Sequence, residues 1–319
     1  MSAQKQQKPA EKGKRFWTIP RGVIHCAVTP YDKDGRVDYA TFEKVVDFHV
    51  RHGTSVLGLL LHAAESLNLT VEERKQLVDV AVKVAKGRVP LLVHVSLSGT
   101  DQVIDLARHA EKAGADAVIC TAPYYWPSSE DAQFEHFTAL GSAIGIPLVA
   151  YNSPRAQAGT NLSPRLLVRL IERLPNFVGL KDASFNFDYF IEVIRATHAV
   201  RPDFGIFTGV EYLLPSLVLG GIGSMSVTNG VAPKAVQDLY TASAGGQYDR
   251  ARTLQEKISQ HLRLLMVEYP ATIKAGMEIM GRPVGKVRLP IRSLSEEAKR
   301  RLRDELGKLG ILDQEPHGW

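Results

Sequence analysis

Short apolar runs recur along the chain at residues 22–30, 55–61, 90–96, 117–125, 146–154, 177–184, 204–209 and 222–229. Each is followed by a stretch whose apolar positions return every three to four residues. Runs of that length read as buried strands and the periodic stretches as amphipathic helices. Helix start signals stand where this reading needs them: Thr70 ahead of Glu72 and Glu73, Thr100 ahead of Asp101, and Ser163 ahead of Pro164. Strands alternating with helices predict a parallel sheet with crossover helices, and eight such units close into a (β/α)8 TIM barrel of the α/β class. After residue 230 only helical periodicity remains, over 232–244, 247–268, 271–280 and 294–309. The expected organisation is a basic tail over 1–20, a barrel core over 21–230, and the last barrel helix with a helical appendage of the same domain over 231–319.

In such a barrel the chemistry lies at the carboxyl ends of the strands, so strand order becomes a map of candidate residues. Lys181 is the most informative of them. It ends the run FVGLKD, where Phe177, Val178, Gly179 and Leu180 offer an ammonium group no partner. Burial disfavours the charged form of lysine and makes a neutral, nucleophilic amine accessible, and such an amine attacks ketones. A lysine that only closes its strand and snorkels to water is the alternative for this segment alone. Tyr151 ends the preceding strand with Val149 on the same face, so its phenol and the Lys181 amine can point inward at one level. A phenol there can move the protons that imine formation and carbon–carbon cleavage require. The glycine-rich GGIGS at 220–224 precedes its strand, which puts it at the opposite face, away from any phosphate.

Composition narrows the picture further. The 319 residues are 45% hydrophobic and 23% charged, as in ordinary globular proteins, and no apolar run approaches the length of a membrane span. The net charge of +5 sits almost wholly in the tail, where Lys5, Lys8, Lys12, Lys14 and Arg15 face only Glu11. The nearly neutral body argues against nucleic acid as a partner. The tail lacks the apolar centre of a secretory signal and reads as disordered. Cys26 and Cys120 lie inside apolar runs without metal-type spacing, which suits packing in a reducing, cytoplasmic setting.

With these residues in hand, the chain resembles the dihydrodipicolinate synthase and N-acetylneuraminate lyase superfamily. The likeness runs from Gly22 to Leu312 and rests on AVTPYDKDGRVD, ESLNLTVEER, TAPYYWPS, YNSP, GLKDAS, TG at 208–209, GGIGSMSVTNGVAP and GRPVGKVRLP. It implies that Lys181 forms a Schiff base with a 2-oxo acid, usually pyruvate, and that Tyr151 relays protons, with no separate cofactor. It further implies substrate contacts from Thr208 and Met225, and places Tyr125 in an aromatic pair at a subunit interface of a homotetramer.

The departures from the family pattern are as informative. Where the family has glycine, two hydroxyl residues, glycine and glutamate, this chain reads LHAAES. His62 and Ala63 stand at the hydroxyl positions, Ala64 replaces the glycine, and only Glu65 is kept. The backbone N–H groups of Ala63 and Ala64 are then the expected carboxylate binders, and His62 replaces a relay hydroxyl with a group that can titrate. After YNSP the loop RAQAG offers Arg155, one residue out of register, for the arginine that holds the second substrate in the diaminopimelate branch. Phe185 and Phe187 follow the lysine where small residues are commoner; an apolar substrate portion and ordinary helix packing both explain them.

Together these residues point to a Schiff-base lyase of the aldolase type that makes or breaks a carbon–carbon bond next to a pyruvate-derived enamine. A 2-oxo sugar acid dehydratase or deaminase uses the same imine, and dihydrodipicolinate synthase itself joins pyruvate to aspartate semialdehyde. A non-catalytic 2-oxo acid binding barrel needs neither Lys181 nor Tyr151. His25, His62 and His94 raise a metal site, but they lack paired spacing and a carboxylate set, so none is expected.

Overall fold

The computed structural model describes residues 18–126, 128–153 and 161–319. Residues 1–17 of the expected tail, Pro154 at the end of the fifth expected strand, and Arg155 lie outside that range. Eight parallel strands form a closed barrel in sequence order: β1 Gly22–Cys26, β2 Val56–Leu59, β3 Leu91–His94, β4 Ala117–Thr121, β5 Leu148–Asn152, β6 Phe177–Asp182, β7 Gly205–Gly209 and β8 Gly223–Ser226. β8 returns to β1 with Gly223 opposite Gly22. A Cβ on Gly223 would collide with the Gly22 carbonyl, so the barrel closes on a residue without one.

The strands are shorter than their apolar runs. The first run continues through Ala27, Val28 and Thr29, all buried, although β1 stops at Cys26. This stretch at the carboxyl end of the barrel is itself covered, and burial keeps it apolar without pairing it.

Around the barrel lie α1 Tyr39–Arg51, α2 Val71–Ala85, α3 Thr100–Ala113, α4 Glu130–Ser142, α5 Pro164–Arg173, α6 Phe187–Val200, α7 Leu213–Val218 and α8 Pro233–Ala244. α2 opens on a capping box in which Thr70 and Glu73 exchange side-chain and backbone bonds. α5 opens on Ser163 with Pro164 in its first turn and buries Leu166, Leu167, Leu170 and Ile171 against the sheet, each worth about 1.5–3 kcal/mol. Thr100 proves to be the first residue of α3, not its cap. Gly99 takes that place, and the Thr100 hydroxyl meets His136 Nδ1 at 2.9 Å.

Beyond the barrel run α9 Tyr248–Leu265, α10 Ala271–Ile279 and α11 Glu296–Lys308. The α9–α10 connection brings Met266 and Tyr269 over the carboxyl end of the strands. Among the described residues no helix is long and apolar enough to cross a membrane.

Candidate active site

Tyr151 and Lys181 are register partners on β5 and β6, and alternation along each strand turns both side chains into the barrel. Both are buried, and the Lys181 Nζ stands 4.0 Å from the centre of the Tyr151 ring. They share a pocket of about 100 Å³ with Cys26, His62, Ala63 and Gly209. The Cys26 thiol is pushed up to about 11 by burial, with the Lys181 charge pulling the other way. One residue further along, Asn152 and Asp182 face away from this pocket, with Asn152 Nδ2 donating to Asp182 Oδ1 at 2.8 Å. Burial raises the Asp182 carboxyl, and hydrogen bonds from Asn152 and Ser184 offset part of the rise. This pair fixes the ends of the two strands that carry Tyr151 and Lys181.

The loop after β2 supplies the next wall. Leu60 and Glu65 both adopt left-handed backbone, with φ of 59° and 54°, and bracket a one-turn 3-10 helix over His62–Ala64. Phe185 after β6, Val210 after β7 and Tyr125 after β4 are further non-glycine residues of positive φ. Strained backbone thus gathers on the loops at one end of the barrel, where function tolerates it. The turn puts His62 Nδ1 3.3 Å from the Tyr151 hydroxyl, with the two ring centres 5.2 Å apart. A hydroxyl in the family pattern is therefore replaced here by an imidazole in contact with the same phenol.

The carboxylate cradle differs from expectation. The Ala64 N–H closes the turn by donating to Leu61 O at 2.9 Å, and the Ala64 carbonyl accepts from the Thr29 hydroxyl at 2.7 Å. The Ala64 amide is thereby spent on the fold. The Ala63 amide precedes the first turn bond and is the donor that remains of the expected pair. The turn is held from below by Glu65, whose buried carboxylate meets Lys274 Nζ at 2.7 Å and the Arg288 amide at 2.8 Å.

His94 stacks edge-on to His62, ring centres 6.0 Å apart, and donates from Nδ1 to Leu60 O at 2.8 Å. Burial, with the Arg74 guanidinium adding to it, holds His94 well below the ordinary histidine range, so it stays neutral. Arg74 is itself buried and donates to the carbonyls of His94 and Ser96 at 2.9 and 3.0 Å. His25 points away from the site, its Nδ1 3.2 Å from that of His49. Among the described residues no cluster of three or more His, Cys, Asp or Glu side chains is placed to hold a metal ion.

The remaining candidates fall outside the pocket. Thr208 is the register partner of Asp182, on the face opposite Lys181, and its hydroxyl donates to Gly209 O at 3.0 Å. Gly209, one residue on, is the wall. Met225 pairs in register with Gly209 but lies deeper, and Val227 takes the wall position two residues later. Tyr125 is 83% exposed and sits edge-on to Trp126, while Tyr124 lines an adjoining cleft.

Several residues with no chemical signature in sequence complete the pocket. Phe185, Val210 and Met266 stand at its mouth, and Tyr269 crosses it from the α9–α10 connection. Glu211, wholly buried, accepts at one oxygen from the Val227 and Thr228 amides at 3.0 and 2.9 Å and also from the Ser226 hydroxyl. It thereby locks the end of β8 where Val227 meets the pocket. Of these only Phe185 is singled out by the sequence, where it breaks the small-residue pattern after the lysine.

Comparison with known proteins agrees with this geometry. The model of the Dihydrodipicolinate synthetase family matches residues 19–309. A 4-hydroxy-tetrahydrodipicolinate synthase of Alkaliphilus oremlandii is 33% identical over 294 residues, which is 92% of this chain and 99% of that protein. One of Rhodopseudomonas palustris is 35% identical over 295 residues, 92% and 98% of the two chains. Among solved structures, YagE of E. coli K12, a prophage protein of the dihydrodipicolinic acid synthase family in complex with pyruvate, superposes with a TM-score of 0.87 at 28% identity, covering 91% of this chain and 99% of its own. A monomeric dihydrodipicolinate synthase variant reaches 0.88 at 28% identity, covering 94% and 100%.

Proposed function

The chain belongs to the dihydrodipicolinate synthetase family, and on that premise we propose that it is a lyase in which Lys181 forms a Schiff base with a 2-oxo acid, pyruvate first among them. The observation that carries this reading is the Lys181 amine lying 4.0 Å over the Tyr151 ring in a buried pocket at the carboxyl end of the barrel. The amine attacks C2 of the keto acid, water leaves, and loss of a C3 proton turns the imine into a neutral enamine. The enamine carbon adds to an aldehyde, or in reverse is released when the carbon–carbon bond breaks. Tyr151 gives and takes the proton at the aldehyde oxygen, and His62 Nδ1, 3.3 Å from its hydroxyl, passes that proton on. The amide of Ala63 holds the substrate carboxylate. No step calls for a separate cofactor, since the imine itself is the electron sink.

The reading includes assembly and place. Tyr125 and Trp126, 83% and 73% exposed on one loop, form an aromatic surface that a second copy would cover in a homotetramer. Light scattering at micromolar concentration should give four chains per particle; a monomer contradicts it. The buried free thiols of Cys26 and Cys120 suit the cytoplasm. The chemical reading is tested by assaying pyruvate release from a panel of 4-hydroxy-2-oxo acids. Wild type should release pyruvate from at least one and Lys181→Ala from none. Loss of water without pyruvate would point instead to a dehydratase.

A further inference from the structure

A 2-oxo acid joined to Lys181 carries its carboxylate on the imine carbon itself, so that group is held within the Lys181 pocket. A carboxylate that leaves water for a buried site needs protein donors at both of its oxygens. The loop after β2 has lost most of its supply. His62 and Ala63 stand where the family pattern has hydroxyls, and the Ala64 amide is spent on Leu61 O at 2.9 Å, which leaves the Ala63 amide. Among the described residues that line the pocket, only Tyr151 and Tyr269 carry a hydroxyl. The first belongs to the proton relay and lies 3.3 Å from His62 Nδ1.

Tyr269 is not committed in this way. Its ring is half-buried, and no hydrogen bond among the described residues uses its hydroxyl. Burial holds the phenol well above the ordinary tyrosine range, and the Tyr151 phenol and Cys26 thiol, both pocket groups, push it further the same way. Tyr269 therefore keeps its proton and has one to donate.

The segment that carries Tyr269 is also fixed in place. The Thr272 amide donates to Glu268 O at 3.2 Å and the Thr272 hydroxyl donates to Leu265 O, which closes the chain around Tyr269. Further along α10, Lys274 Nζ meets Glu65 Oε1 at 2.7 Å, and Glu65 ends the His62–Ala64 turn. The buried ion pair thus ties the segment that bears the phenol to the turn that bears the Ala63 amide.

Resting on the Schiff-base reading above, we propose that Tyr269 is a substrate-binding residue whose hydroxyl, together with the Ala63 amide, donates to the carboxylate of the Lys181-bound 2-oxo acid. It takes over from the hydroxyls that the loop after β2 lacks.

The test titrates borohydride trapping with pyruvate and with its uncharged methyl ester, on the wild type and on Tyr269→Phe. Losing a hydrogen bond to a charged group should raise the pyruvate concentration for half-maximal trapping by about tenfold or more. The ester, which offers only a neutral acceptor, should shift by about threefold or less, and trapping at saturating pyruvate should reach the wild-type level. Tm should fall by no more than about 2 °C, because the hydroxyl has no protein partner to lose. An unchanged pyruvate titration, an equal shift for pyruvate and ester, or a larger fall in Tm overturns the proposal and leaves the Schiff base standing. Absence of trapping on the wild type takes both down.

Discussion

Replacing Lys274 by Met would remove the cation from the buried pair that supports the His62–Ala64 turn. Lys274 Nζ lies 2.7 Å from Glu65 Oε1, and the two side chains are 3% and 0% exposed. Burial draws the Lys274 ammonium down to about 8 while Glu65 pulls it back, so Lys274 is charged at pH 7. Taking away one partner strands a carboxylate that no water reaches, at a cost of about 3–5 kcal/mol. In a domain of this size that lowers Tm by on the order of 10 °C. The double variant Glu65→Gln/Lys274→Met leaves a neutral amide whose oxygen still accepts from the Arg288 amide, so it should recover most of the loss, with a coupling of about 3 kcal/mol. Thermal and urea unfolding of the four proteins of this cycle at pH 7 measures both quantities. A Lys274→Met variant within about 1 kcal/mol of wild type, or a double variant no more stable than the single one, would refute the reasoning.

Three other outcomes follow from the structure. Tyr151→Phe should keep the fold and lower turnover by roughly 100-fold or more, the scale for losing a positioned acid–base group, and His62→Thr should change aldehyde choice more than imine formation; steady-state kinetics with parallel trapping decides both, and a wild-type rate for Tyr151→Phe removes the relay. Burial holds His49 at about 3 and His136 and His261 at about 4, against an ordinary 6.5. The unfolded chain therefore binds protons that the native chain refuses. Stability is complete above pH 6.5 and should fall toward pH 4 by about 1.4 kcal/mol per pH unit for each histidine. A urea midpoint that does not move between pH 7 and pH 5 contradicts this.

The barrel was legible in the sequence because its strands are buried on both faces, which leaves continuous apolar runs between periodic stretches. Lys181 and Tyr151 were legible for the same reason, as polar groups ending such runs. The two-residue period of a strand is what displaced Thr208. One residue separates it from Gly209, and that step exchanges the inner face for the outer. The Ala64 amide was misread because local sequence does not disclose that LHAA folds into a 3-10 turn that consumes it. Tyr269 and Lys274 stayed hidden because they reach the site from the C-terminal helices; the contact between Arg288 and Glu65 spans 223 residues. No periodicity reports a separation of that length.

The central claim is that Lys181 is the nucleophile. Incubating the protein with pyruvate, reducing with borohydride and measuring intact mass and peptide masses tests it directly. A single adduct of one pyruvate less one oxygen atom, located on Lys181 and lost in Lys181→Ala, is the predicted result. An unchanged mass, or an adduct that persists in Lys181→Ala, would contradict it.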